Sequence, residues 1–139
     1  MKRHLLILSV ITLSMAAGSA YAQSINLKAN VPFDFIVNGR TLPAGTYALR
    51  TLQNGSDLAL LVQNLESRES MIVLPGRVEG KETSTETKLL FHRYGQSYFL
   101  SQVFMEGEAA GRQLPKSHWE NEVARIRPSQ DVKLAASLK

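Results

Sequence analysis

In Lys88-Leu89-Leu90-Phe91-His92-Arg93-Tyr94-Gly95-Gln96-Ser97-Tyr98-Phe99-Leu100-Ser101-Gln102-Val103-Phe104-Met105, two runs of aromatic and aliphatic residues meet at Tyr94-Gly95. Runs of this length and composition, broken by a turn residue, predict the strands Lys88 to Tyr94 and Ser97 to Met105. Successive side chains of a strand face opposite ways, which assigns Tyr98, Leu100 and Phe104 to one face and Phe99, Val103 and Met105 to the other. A strand apolar on both faces is central, or is covered on its second face by another element. His92 and Tyr94 share one face of the preceding strand, with Arg93 on the face of Phe91.

The same punctuation runs through the rest of the chain. Ile25 to Asn30, Phe33 to Val37, Thr46 to Leu52, Asp57 to Gln63 and Ser70 to Leu74 are further candidate strands, recurring at about ten residues, the spacing of an antiparallel all-β domain. Asn38-Gly39 and Asn54-Gly55 have the composition of two-residue hairpin turns, whose central residues take positive φ. Leu42-Pro43-Ala44-Gly45 and Pro75-Gly76 supply further turns. The expected fold is all-β: a single antiparallel β-sandwich or small β-barrel of about seven or eight strands, with one short C-terminal helix. Alternation reports faces and not closure, so sandwich and barrel both stand.

The helix is expected over about residues 117–127. Ser117-His118-Trp119-Glu120 has the form of a capping box, in which the serine accepts from a first-turn N–H and Glu120 reaches back to the cap. Trp119, Val123 and Ile126 recur at i, i+4 and i+7 as an apolar stripe by which so short a helix must dock. Glu120 and Glu122 at its start and Arg125 and Arg127 at its end complement its dipole, and Pro128 stops it. Val78 to Thr87 reads as a long exposed loop. Residues 129–139 read as a C-terminal tail open to a strand, a helical turn or neither.

The chain opens with Lys2 and Arg3, an apolar run from Leu5 to Ala17, and Ala20-Tyr21-Ala22 before Gln23. A basic head, a short apolar core and small residues before the cut are the pattern of a cleaved secretory signal, so residues 1–22 are expected as a leader and the remainder as periplasmic or secreted. Of 139 residues, 117 then remain, read as one β-rich domain over residues 23–128 followed by the tail 129–139, a length that buries enough surface to fold without staples. Cysteine is absent, so neither a disulfide framework nor a lipid-attachment thiol is expected. No later run is apolar for long enough to span a bilayer as a helix. With Lys2 and Arg3 gone, 14 basic side chains face 12 acidic ones, spread and interleaved. Nucleic-acid binding, which concentrates Lys and Arg against phosphates, is not expected.

Chemistry is sparse. His92 and His118 are the histidines beyond the leader, and neither stands in a ligand pattern such as His-x-His. His118, near Glu122 at i+4, reads as a solvated helix-start residue. Glycines are scattered as turn residues with no phosphate loop, and no cofactor is implied. Ser101, His92 and Asp34 assemble a Ser-His-Asp set on paper, without the Gly-x-Ser-x-Gly elbow that activates such a serine. His92-Arg93-Tyr94 closes a strand with three polar-tipped side chains, and Arg93 on an apolar face calls for a carboxylate partner, for which Asp34 is the candidate. A binding site is therefore expected at Asp34, His92, Arg93, Tyr94 and Arg112, the last from the loop before the helix. No catalytic residue and no metal ligand is assigned.

Val31-Pro32-Phe33-Asp34-Phe35, Leu42-Pro43-Ala44-Gly45-x-Tyr47, Phe91-His92-Arg93-Tyr94-Gly95-x-x-Tyr98-Phe99-Leu100-Ser101 and Gly111-Arg112-x-Leu114-Pro115-x-Ser117 together span most of the mature chain. This set resembles a group of uncharacterised small exported bacterial proteins. The resemblance implies export and a β-rich single domain, and brings no activity or site residue with it. The expected function is that of an exported, non-enzymatic binding or accessory module of the cell envelope, its partner an unknown protein or a small apolar ligand. Two alternatives stand beside it: a small barrel carrying an apolar ligand among Phe33, Phe35, Tyr47, Phe91, Tyr98, Phe99 and Phe104, and an envelope hydrolase.

Overall fold

The computed structural model describes residues 25–54 and 57–138; the expected leader and Gly55 of the second Asn-Gly turn lie outside them. Among the described residues the strands in chain order are β1 (Asn26–Val31), β2 (Phe35–Val37), β3 (Arg40–Leu42), β4 (Gly45–Asn54), β5 (Asp57–Asn64), β6 (Ser70–Val73), β7 (Gly76–Glu79), β8 (Lys88–Tyr94), β9 (Ser97–Phe104), β10 (Ala110–Gln113), β11 (Gln130–Ala135) and β12 (Ser137–Leu138), with one helix, α1 (His118–Ile126), before β11. They form two sheets. The smaller runs β12-β1-β4-β5-β6, and the larger β11-β8-β9-β10-β7, with β2 beside β9 and β3 beside β2. Neither sheet closes on itself among the described residues, so the fold is a β-sandwich and not a barrel. No described helix is long and apolar enough to cross a membrane.

The seven expected strands are present with ends shifted by up to two residues, and five short ones join them. Apart from β11, these additional strands carry little apolar alternation: β3 and β7 are mostly exposed. Their pairing is imposed by neighbouring strands, which sequence periodicity does not report. One contact departs from the antiparallel expectation, since β2 meets β9 in parallel at Ile36 and Phe99. Asn38 (φ 50°) and Gly39 (φ 78°) make the turn between β2 and β3, the two positive φ values that such a turn demands.

The core lies between the sheets. Leu27, Ala29 and Val31 of β1 point into it in strict alternation with exposed neighbours. Phe35 meets Tyr47 edge to face at 4.9 Å and Phe91 at 5.7 Å, and Phe33 meets Phe91 at 5.1 Å. These aromatic side chains pack on one another and fill the space between the layers.

Strict alternation fails in β9. Phe91 opposes Leu100 while Leu90 opposes Gln102, which leaves Ser101 as an extra residue on β9. Such a bulge resets the parity of the strand. Leu100 and Val103 therefore enter the core together, whereas alternation had placed them on opposite faces.

Two segments outside the expected strands are built into the frame. Residues 130–135 pair with β8, Val132 and Leu134 pack on the core, and β12 pairs with β1, so the C-terminal segment borders both sheets. Residues 80–87 form a loop with Lys81, Glu82, Thr83 and Thr85 exposed, but the expected exposed loop over 78–87 is corrected in two respects, its start and its anchoring. The segment starts within β7, Gly80 N–H donates to Ala109 O (2.7 Å), Ser84 N–H to Glu108 O (2.8 Å), and Thr87 Oγ1 accepts from Glu106 N–H (3.1 Å). The Ser and Thr hydroxyls that suggested solvation instead satisfy backbone groups, and Ser84 and Thr87 are buried.

Candidate functional site

His92, Tyr94, Phe99 and Ser101 project from β8 and β9 on the side away from the core, and α1 lies across them. Ser117 caps this helix, its Oγ accepting from Glu120 N–H at 3.2 Å. The reciprocal half of the capping box does not form. The Glu120 carboxylate turns down onto the sheet, where Oε1 accepts from His92 Nδ1–H at 2.8 Å and from the Tyr94 hydroxyl at 3.2 Å. A carboxylate cannot donate, so Nδ1 is the donor in that contact; the other ring nitrogen, Nε2, is hydrogen-bonded with the Ser101 hydroxyl at 3.1 Å and lies 3.8 Å from Asp131 Oδ1. Glu120 and Ser101 are each 4 % exposed. Among the described residues no buried side-chain nitrogen or oxygen lacks a partner.

Apolar contacts complete the seat of the helix. Ile36, Tyr94 and Phe99 form a small buried cluster against which Val123 packs, and Trp119 stands edge-on to Phe99 with centroids 5.6 Å apart. The expected docking stripe is corrected accordingly: Trp119 is 43 % exposed and Ile126 80 % exposed, while the single buried residue of the helix is Glu120. A hydrogen-bonded carboxylate on the adjoining face has rotated the stripe partly into solvent. Burial raises the Tyr94 phenol above its ordinary pKa, reinforced by the Glu120 charge and the hydrogen bond to it.

The five expected site residues do not converge. Arg93 and Asp34 form no ion pair: the Asp34 carboxylate accepts from Ala44 N–H at 2.9 Å, and Arg93 lies 5.4 Å from the Tyr98 ring centroid while its Nε donates to Gly95 O at 2.8 Å. Asp34 thus ties the Val31–Phe35 motif to the Leu42–Tyr47 motif, as does Phe35 against Tyr47, and the Tyr47 hydroxyl donating to Pro43 O braces the second motif within itself. Arg112 lies on β10 between Val103 and Arg77, two strands from β8. His92 and Tyr94 are brought together, by Glu120. His118 is exposed, and no group of three or more metal-ligating side chains occurs among the described residues.

Ser101, His92 and Glu120 stand in the hydrogen-bonded order of a serine hydrolase triad, with Glu120 where Asp34 was placed on paper. The surroundings differ from such a site. Ser101 is a buried bulge residue whose carbonyl is held by Leu114 N–H at 2.8 Å, and Tyr94 shares the carboxylate oxygen that would orient the base.

Beside this network the β8–β9 turn and the end of α1 enclose an open cleft of about 360 Å³, lined by Arg93, Gly95, Arg127, Pro128 and Gln130. A second cleft of about 300 Å³ lies between Leu74, Arg77 and the 113–116 segment. Glu120 and Arg127 are not legible as site residues in the sequence, because each also fits a helix-end role. The available signal was that Glu120 shares a helix face with Val123, three residues on. No family model, curated protein or solved structure matches the chain, so the functional reading rests on the geometry above.

Proposed function

We propose that the mature chain is an exported, non-enzymatic binding module of the cell envelope, periplasmic or secreted, whose contact surface lies where the β8–β9 turn meets the C-terminal end of α1. The leader pattern of residues 1–22 supports the location. One observation supports the binding role above the others: the buried polar groups under α1 bond to one another and hold the helix, whereas Arg93 and Arg127 at the adjoining rim face an open cleft. That volume lies in the range of small-molecule pockets, roughly 300 to 1,000 Å³. An apolar cargo is less well served, since the aromatic residues that would line its cavity pack on one another.

Native mass spectrometry of the protein purified from the envelope of its own host tests the reading. A retained small molecule or co-purifying protein, lost in Arg93→Ala with little change in melting temperature, is the expected result. A bare chain with no partner, in wild type and variant alike, would remove it.

The hydrolase stands as a second reading on the Ser101–His92–Glu120 chain. Covalent labelling of Ser101 by a fluorophosphonate probe, abolished in His92→Ala, would displace the binding role; no labelling is expected.

A further inference from the structure

We propose that the cleft between the β8–β9 turn and the end of α1 is an oxyanion site, taking the carboxylate or phosphate group of a small ligand between Arg93 and Arg127. This rests on the binding-module reading and adds the chemical class of the ligand. Both arginines approach Gly95: Arg93 Nε donates to its carbonyl at 2.8 Å, and the exposed Arg127 side chain places Nη1 2.5 Å from where a Cβ on Gly95 would stand. Two guanidinium groups thus border one residue and one cleft. Among the described residues no carboxylate lies within 4.0 Å of either.

Like charges that border one cleft repel and concentrate positive potential there. An anion relieves the repulsion, and a planar guanidinium offers paired donors to carboxylate or phosphate oxygens. The helix end does not account for the arrangement, because Arg125 already occupies the last turn and pairs with Glu122 at 3.4 Å, whereas the Arg127 guanidinium is drawn over Gly95. The absent side chain at Gly95 is what admits it. Gln130, opposite Arg93 on β11, adds a neutral amide to the lining.

Isothermal titration with inorganic phosphate and with succinate measures the site directly. One-to-one binding is expected, weakened at least about tenfold in Arg93→Gln and in Arg127→Gln, the loss of one charge-assisted contact. Arg125→Gln, two residues away with the same charge change, is expected to bind as wild type. Gly95→Asn supplies a test that leaves both arginines in place. Asparagine tolerates the φ of +63° at this turn, while its Cβ displaces the Arg127 guanidinium, so oxyanion binding falls with the melting temperature nearly unchanged.

Equal weakening in Arg125→Gln would mean diffuse charge attraction and overturn the site. If neither anion binds but a neutral ligand from the envelope is lost in Arg93→Ala, the oxyanion class fails and the binding module survives. If nothing binds in either experiment, both fail. Sedimentation with phosphatidylglycerol vesicles, absent with phosphatidylcholine and displaced by phosphate, would identify the oxyanion as a lipid headgroup; phosphate binding without vesicle binding would identify a free anion.

Discussion

Glu120 is a carboxylate 4 % exposed, held by donors from two side chains of β8. Removing it strands both donors in a site where each unmade hydrogen bond costs about 1 to 3 kcal/mol. Glu120→Ala should therefore lower unfolding stability by about 2 to 4 kcal/mol in urea titration, and Glu120→Gln, which keeps an acceptor oxygen, by clearly less. A change in Glu120→Ala below about 0.5 kcal/mol, the range of ordinary surface substitutions, would mean that the network does not hold the helix. The phenols of Tyr47 and Tyr94 are both raised above their ordinary value of 10.0, chiefly by burial. Because the fold keeps these protons longer than the unfolded chain does, their contribution is intact below about pH 10 and is lost as pH rises through the raised values. Urea midpoints should fall above pH 10, and Tyr94→Phe should show a shallower alkaline decline than wild type.

At the scale of the element, α1 depends on its cap and its seat more than on its apolar stripe. Ser117→Ala removes the acceptor for Glu120 N–H and should cost about 1 kcal/mol, read by urea unfolding. The strand before the helix is limited by close packing at Gly111. A Cβ there would lie 2.6 Å from Val103 O and 2.8 Å from the Phe104 ring, while Gly76 on the adjacent β7 has nothing within 4 Å. Overpacking against backbone cannot be relieved by a rotamer change. Gly111→Ala should destabilise by about 2 kcal/mol or more, and Gly76→Ala by less than about 0.5; equal effects would refute the contact. The Gly111-Arg112-x-Leu114-Pro115-x-Ser117 motif thereby acquires a structural role, since Leu114 is buried and donates to the Ser101 bulge.

Over the whole molecule, the C-terminal segment joins the two layers. Val132 and Leu134 lie against Leu89 and Phe91 through β11, Ala136 N–H donates to Thr87 O, and β12 covers the β1 edge at Leu27. Truncation after Pro128 uncovers one edge of each sheet, which invites self-association. Loss of the single cooperative unfolding transition, or aggregation seen by light scattering, is expected. A truncated protein that unfolds like the full chain would show that the segment merely rests on the sandwich.

The sequence by itself determined the all-β class, the strands β1, β2, β4, β5, β6, β8 and β9, the Asn38-Gly39 turn and the position of α1, because each is set by local composition, periodicity or capping chemistry. It also marked His92, Arg93 and Tyr94 as unusual. Sandwich over barrel, the short edge strands and the pairing of residues 130–138 came from contacts between distant segments, which a local pattern does not encode. The same holds for the site: Asp34 is claimed by Ala44 N–H, Arg93 by Gly95, and Glu120 leaves its cap for His92 and Tyr94. Only the tertiary structure decided these pairings, because a polar side chain bonds to whichever partner folding brings within about 3 Å, and one extra residue at Ser101 changes which side chains those are.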